Sequence, residues 1–192
     1  MKKMSISRIT YDAVLAAICV VLGYLAFNLG DFKFTFENLP VIVAALLFGP
    51  VDGMLVGGLG VFLSQMIRYG VELSTPLWVI PYIVSGLFMG LCAKGMNYKI
   101  TVGWKLSLIL LIDGLIVTSL NTVSLYIWHN FLLENSAATM LSLIIKLPAK
   151  IAVIIIKVAA YTFILPPLLL ALRKFSNEIN ERTSRSIEKD KG

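Results

Sequence analysis

The chain is poor in the residues from which most catalytic and metal sites are built. It holds one histidine and two cysteines among 192 residues. A lone histidine has no second imidazole with which to chelate, so a histidine-rich metal centre is excluded. Cys19 and Cys92 both lie inside apolar runs; they are too few for a disulfide framework and lack metal-ligand spacing. No segment reads G-x-x-x-x-G-K-S/T, so the chain has no phosphate-cradling loop of the kind that hydrolyses ATP. A carboxylate cluster and a nucleophile elbow are missing too, which makes an enzyme the weakest functional class. No cofactor motif is present and no cofactor is expected. Charge is also scarce: 15% of residues are Asp, Glu, Lys or Arg, against about 25% in an ordinary soluble domain.

What fills the chain instead is apolar. Hydrophobic residues make up 58% of it and the mean hydropathy is +0.85. Long apolar runs nearly free of charge read as transmembrane helices. The expected fold is therefore an all-α integral membrane protein. Six spans are expected, near Tyr11–Leu29, Leu39–Phe48, Val51–Ile67, Leu77–Ala93, Val102–Phe131 and Leu147–Leu172. The first run lacks a small-residue cleavage site and reads as a retained helix. Residues 1–175 then form one membrane domain, and 176–192 a charged, polar tail with little to bury.

The formal charge of +6 invites a nucleic-acid reading, but its distribution argues for topology. Lys2, Lys3 and Arg8 precede the first run, and Arg173, Lys174, Arg182, Arg185, Lys189 and Lys191 follow the last. Lys94, Lys99 and Lys105 join them if both termini are cytoplasmic, leaving Lys33, Arg68, Lys146 and Lys150 outside. Basic residues collect on the cytoplasmic side, so six spans with both ends inside is the expected arrangement, without a nucleic-acid partner.

The second span poses a problem. Leu39–Phe48 is ten residues, about 15 Å of helix and half a bilayer core. Gly49-Pro50 then forces a reversal, because Pro ends one helix and suits the first turn of the next. Such short elements survive at membrane depth where protein or a water-filled cavity surrounds them. A helical hairpin inside a bundle is expected. Gly53, Gly57 and Gly60 share one face of the third helix and permit a close neighbour. Asp52 falls in that helix's first turn, where the helix dipole favours a carboxylate.

The run FTFENLPVIVAALLFGPVDGMLVGGLG, residues 34–60, resembles the signature of S-components of energy-coupling factor (ECF) transporters, the vitamin-binding membrane subunits. The six spans, the length, the basic C-terminal end and the small residues of the first helix fit that resemblance. The stretch SQMIRYGVELSTPLWVIPYIVSG, residues 64–86, is similar to the folate-type subgroup, although the aromatic-rich Phe-Pro-Gly-Phe segment of folate binders does not follow the third span. The resemblance implies a substrate-capture subunit that works with a transmembrane coupling subunit and two ATPase subunits. Ala13 and Ala17 form a small-xxx-small pair, open on spacing alone to an internal helix contact. By resemblance they carry the Ala-xxx-Ala motif that docks on the coupling subunit.

Polar groups inside spans are the site candidates. Substrate contacts are expected from Glu37, Asn38, Gln65, Arg68, Trp78, Tyr82, Asn121, Lys150 and Lys157. Lys146, Lys150 and Lys157 share a helical face, which suits an anionic solute such as pantothenate or a folate-like compound. Lys157 reads equally as a solute contact and as the mate of Asp113, and Lys146 and Lys150 equally as snorkelling residues. Tyr69, Tyr126, Trp128, His129 and Asn130 lie in the same outer half, where Trp128 and His129 read as interfacial residues. Residues 30–37 and 71–76 are candidate lids over the site. The alternative is a stand-alone ion-coupled carrier using Asp113 and Lys157.

Overall fold

The structure is a computed structural model that describes residues 6–25, 27–29, 32–96, 104–128 and 147–189. Among them are six helices: α1 (Ile6–Tyr24), α2 (Asn38–Phe48), α3 (Pro50–Tyr69), α4 (Thr75–Gly95), α5 (Trp104–Ile127) and α6 (Leu147–Lys189). Four of them, α3 to α6, are long and apolar enough to cross a membrane. Two three-residue strands, β1 (Phe27–Leu29) and β2 (Phe32–Phe34), pair antiparallel with Asn28 opposite Lys33. The fold is thus helical apart from one small hairpin. The expected first span overshoots for this reason: the apolar character continues past Tyr24, but the alternating residues beyond it pair as strands. At the other end α6 continues as helix from 176 to Lys189, where a separate tail was expected. No Gly or Pro interrupts residues 168–189, so nothing local stops the helix.

α2 sits at the centre and packs against α1, α3, α4 and α6. Every residue from Val41 to Leu46 is buried. A helix that is apolar all round belongs in a core, and here six consecutive buried side chains leave it no lipid-facing side. Gly49 makes the reversal into α3 at φ 115°, a left-handed conformation strained for any L side chain, and Pro50 opens α3.

The breakers in the opening half of α3 serve close packing. A Cβ on Gly53 would stand 2.8 Å from the Gly86 carbonyl oxygen on α4, and one on Gly57 2.6 Å from that of Tyr82. A Cβ on Gly60 would stand 2.7 Å from Cys19 Cβ on α1. Added Cβ atoms on Gly86 and Gly90 would collide with the backbones of Gly53 and Pro50. Helices α3 and α4 therefore meet backbone to backbone, the arrangement that small residues permit between membrane helices.

Pro81 lies inside α4 and has no N–H to offer the Leu77 carbonyl one turn back. Ser124 on α5 donates to that carbonyl at 2.7 Å. A freed backbone acceptor is thereby re-satisfied from a neighbouring helix, as apolar surroundings require. Ser107 and Thr162 link α5 to α6 at 3.2 Å.

Candidate functional site

Depth within the bundle follows from the hydrogen bonds of α2. Its first residue, Asn38, accepts from Ser85 Oγ at 3.1 Å and donates to Asp113 Oδ2 at 3.0 Å. Ser85 lies ten residues after the start of α4 and Asp113 fourteen before the end of α5, about 15 and 21 Å from those helix ends. α2 therefore begins at mid-depth. The stretches of α4, α5 and α6 toward the Gly70 end of the bundle border the level above it, and the β1–β2 hairpin leads down to that level through Thr35.

Around this mid-depth helix start lies a set of buried polar side chains. Glu37 immediately precedes α2, and its Oε1 accepts from Tyr82 OH and, at 3.1 Å, from Thr35 Oγ1. The Glu37 carbonyl accepts from Cys19 Sγ at 3.2 Å. Gly23 on α1 packs directly against Glu37: a Cβ there would stand 2.9 Å from Glu37 Oε2 and would collide with Ser64 Oγ. Tyr161 on α6 closes the set, with its ring 6.1 Å from that of Phe36 and its position within electrostatic reach of both Glu37 and Asp113.

The sequence-predicted residues divide into three groups. Glu37, Asn38 and Tyr82 are buried and joined in this network. Arg68 and Lys150 stand toward the Gly70 end with partners on neighbouring helices. Arg68 Nη1 donates to the Gly23 carbonyl at 2.9 Å, its guanidinium 5.9 Å from the Tyr69 ring centre, and Lys150 Nζ donates to Thr122 Oγ1 at 2.8 Å. Gln65, Trp78, Asn121 and Lys157 are half-buried on α3, α4, α5 and α6. Lys146, His129 and Asn130 lie outside the described residues. Thr35, Ser85 and Tyr161 were not singled out from sequence, because a hydroxyl in an apolar run reads as a packing residue. Asp113 was read from the sequence as a mate for Lys157 or a relay with it, and in the structure Asn38 on α2 donates to it.

A second polar cluster lies at the Gly49 end. Arg8 Nε donates to Asp52 Oδ1 at 2.6 Å, Arg8 Nη2 pairs with Asp52 Oδ2, and the same Nη2 donates to the Phe48 carbonyl at 2.6 Å. Asp52 thus faces both its helix dipole and a guanidinium that also covers the last turn of α2. Asp12 is buried next to it. Ala13 and Ala17 point the other way. They are exposed on α1 together with Val14, Ile18 and Val21.

A family model described as "ECF transporter, substrate-specific component" matches residues 7–170. Two proteins of Streptococcus thermophilus, both described as UPF0397 proteins and from strains LMD-9 and CNRZ 1066, are 33% identical over 106 residues. That match covers 54% of this chain and 56% of each relative, so the chain spans about half the length of the curated relatives it matches. Among solved structures, the S-component for biotin from an ECF-type ABC transporter superposes with TM-score 0.59 at 18% identity, covering 91% of this chain and 94% of that one. The S component of a bacterial ECF transporter gives TM-score 0.55 at 21% identity, covering 90% and 97%. At these identities the two structures establish the fold.

Proposed function

The chain belongs to the substrate-specific components of ECF transporters, and on that footing we propose that it captures a water-soluble vitamin outside the cell and delivers it inward. The family is a transporter component and not an enzyme. In this reading the chain is a multi-pass protein of the cell membrane, with six crossings and both termini in the cytoplasm. The Gly70 end of the bundle faces outward. The observation that carries the reading is the mid-depth start of α2, where Glu37, Asn38, Tyr82, Ser85 and Asp113 form a buried polar floor. Polar groups at this depth are costly to maintain and mark solute paths in membrane proteins.

The wall above that floor supplies the remaining contacts. Gln65, Arg68, Trp78, Asn121 and Lys150 border the outward level, Lys157 lies nearer the depth of the floor, and the basic members suit an anionic group on the solute. Pantothenate and a folate-like compound both carry such a group, and the similarity of residues 64–86 to the folate-type subgroup favours the same class. Transport energy comes from elsewhere, through a transmembrane coupling subunit and two ATPase subunits. Ala13 and Ala17 provide the docking face, where two small side chains set among Val14, Ile18 and Val21 let another helix approach closely.

Co-expression with an ECF coupling subunit and its two ATPases, followed by affinity purification of this chain, tests the proposal. The expected result is a stable complex whose yield collapses when Ala13 and Ala17 are both replaced by Leu. Solute flux driven by an ion gradient through the chain alone, with no complex formed, would contradict it and favour the stand-alone carrier.

A further inference from the structure

Among the described residues, three buried polar atoms around the start of α2 lack a hydrogen-bond partner: Glu37 Oε2, Asp113 Oδ1 and the Tyr161 hydroxyl. Their residues are 2%, 1% and 4% exposed, so bulk water does not serve them. Buried polar groups in native proteins are nearly always paired, and unpaired ones require an explanation. Thr35 and Tyr82 donate to Glu37 Oε1, Asn38 to Asp113 Oδ2, and Ser85 to Asn38. What remains open is two carboxylate oxygens, which only accept when ionised, and one phenol that accepts or donates. Asn38 holds Asp113 beside the residue that follows Glu37, and the Tyr161 ring lies 6.1 Å from that of Phe36, the residue before Glu37, so the open atoms belong to one neighbourhood. α1 packs against this floor through Gly23, where a Cβ would stand 2.9 Å from Glu37 Oε2.

Resting on the solute-capture reading, we infer that this floor binds the donor-bearing end of the solute. The fitting chemistry is a group that presents two or more N–H bonds along one edge, such as an amidine or an amino-substituted nitrogen heterocycle. Glu37 and Asp113 accept from it, and the Tyr161 hydroxyl completes its ring of partners. Charge-assisted bonds of this kind are stronger and more directional than neutral ones, so they fix the solute's orientation. The basic residues Arg68 and Lys150 stand nearer the Gly70 end and meet the opposite, anionic end. The site is thereby polar in a fixed order: donors of the solute toward mid-depth, its negative charge toward the mouth.

The test uses the full chain purified in detergent, with benzamidine and benzoate as probes followed by thermal shift. The two share one ring, and one offers paired N–H donors where the other offers a carboxylate. Benzamidine is expected to raise the melting temperature in a dose-dependent way. Glu37→Gln and Asp113→Asn are each expected to weaken it by about tenfold or more, and Tyr161→Phe by a few-fold. Should Glu37→Gln fail to fold, Asp113→Asn and Tyr161→Phe carry the same comparison. Failure of benzamidine to bind, or benzamidine affinity unchanged in the variants that fold, would overturn the inference and leave the open atoms to a structural water, whereas any benzoate held at the basic mouth is expected to be insensitive to Asp113→Asn. A chain that joins the ECF complex but fails the benzamidine test loses this inference alone. One that passes the test and never joins the complex loses the transporter reading.

Discussion

The α3–α4 seam and the α5–α6 seam are built in opposite ways. Between α3 and α4, glycines bring backbone against backbone, and 39% and 44% of the two spans are buried. Between α5 and α6, the glycine contact is Gly114 facing the end of an isoleucine side chain, and 17% and 22% of the spans are buried. Close-packed backbones have no rotamers to adjust, so the first seam is rigid. The second is held by side chains and by the Ser107–Thr162 hydrogen bond, which give way more easily. The floor at the start of α2 joins the two: Tyr82 and Ser85 come from the rigid side, Asp113 and Tyr161 from the compliant one. A capture subunit needs this combination, a fixed half that sets geometry and a softer half that closes on a guest.

The largest expected effect comes from the same substitution in both seams. Gly86→Ala drives a Cβ into the Gly53 backbone, which cannot move aside, and is expected to cost about 3 kcal/mol or to abolish folded protein. Gly114→Ala meets Ile154 Cγ2 at 3.0 Å, a contact relieved by a shift of α6 of a few tenths of an ångström, and is expected to cost about 1 kcal/mol. Thermal unfolding of both variants in one detergent measures the difference, and equal losses would erase the distinction between the seams. Next in size is Arg8→Met, which strands Asp52 in the interior beside Asp12. A loss of about 3 kcal/mol is expected, read in the same assay, and Arg8→Met combined with Asp52→Asn is expected to recover part of it. Below that comes Ser124→Ala. It leaves the Leu77 carbonyl opposite Pro81 unpartnered and is expected to cost about 1–2 kcal/mol, while Ser124→Thr keeps the donor and most of the stability.

The rigid half was the legible one. Gly53, Gly57 and Gly60 share a helical face in any reading of the sequence, and that face is where α1 and α4 approach. The shortness of α2 and the reversal at Gly49-Pro50 follow from length and breaker chemistry alone. The hairpin was hidden because Leu25–Leu29 continues the apolar character of α1, and strands of three residues leave no periodicity to detect. Glu37, Asn38 and Tyr82 stood out as polar groups in apolar company. Their partners did not: Asn38 and Asp113 are 75 positions apart, and only the fold brings them together. Tyr161 and Ser85 resemble packing residues until their neighbours are known.

The central claim is that this chain holds a vitamin-sized solute between a basic mouth and an acidic mid-depth floor. Mass spectrometry of small molecules retained by the purified chain tests it most directly. The account predicts a co-purifying compound that carries both an anionic group and N–H donors, retained by the native chain and lost from Asp113→Asn. A native chain that retains nothing, and takes up no vitamin of that class when the whole class is offered, would contradict it.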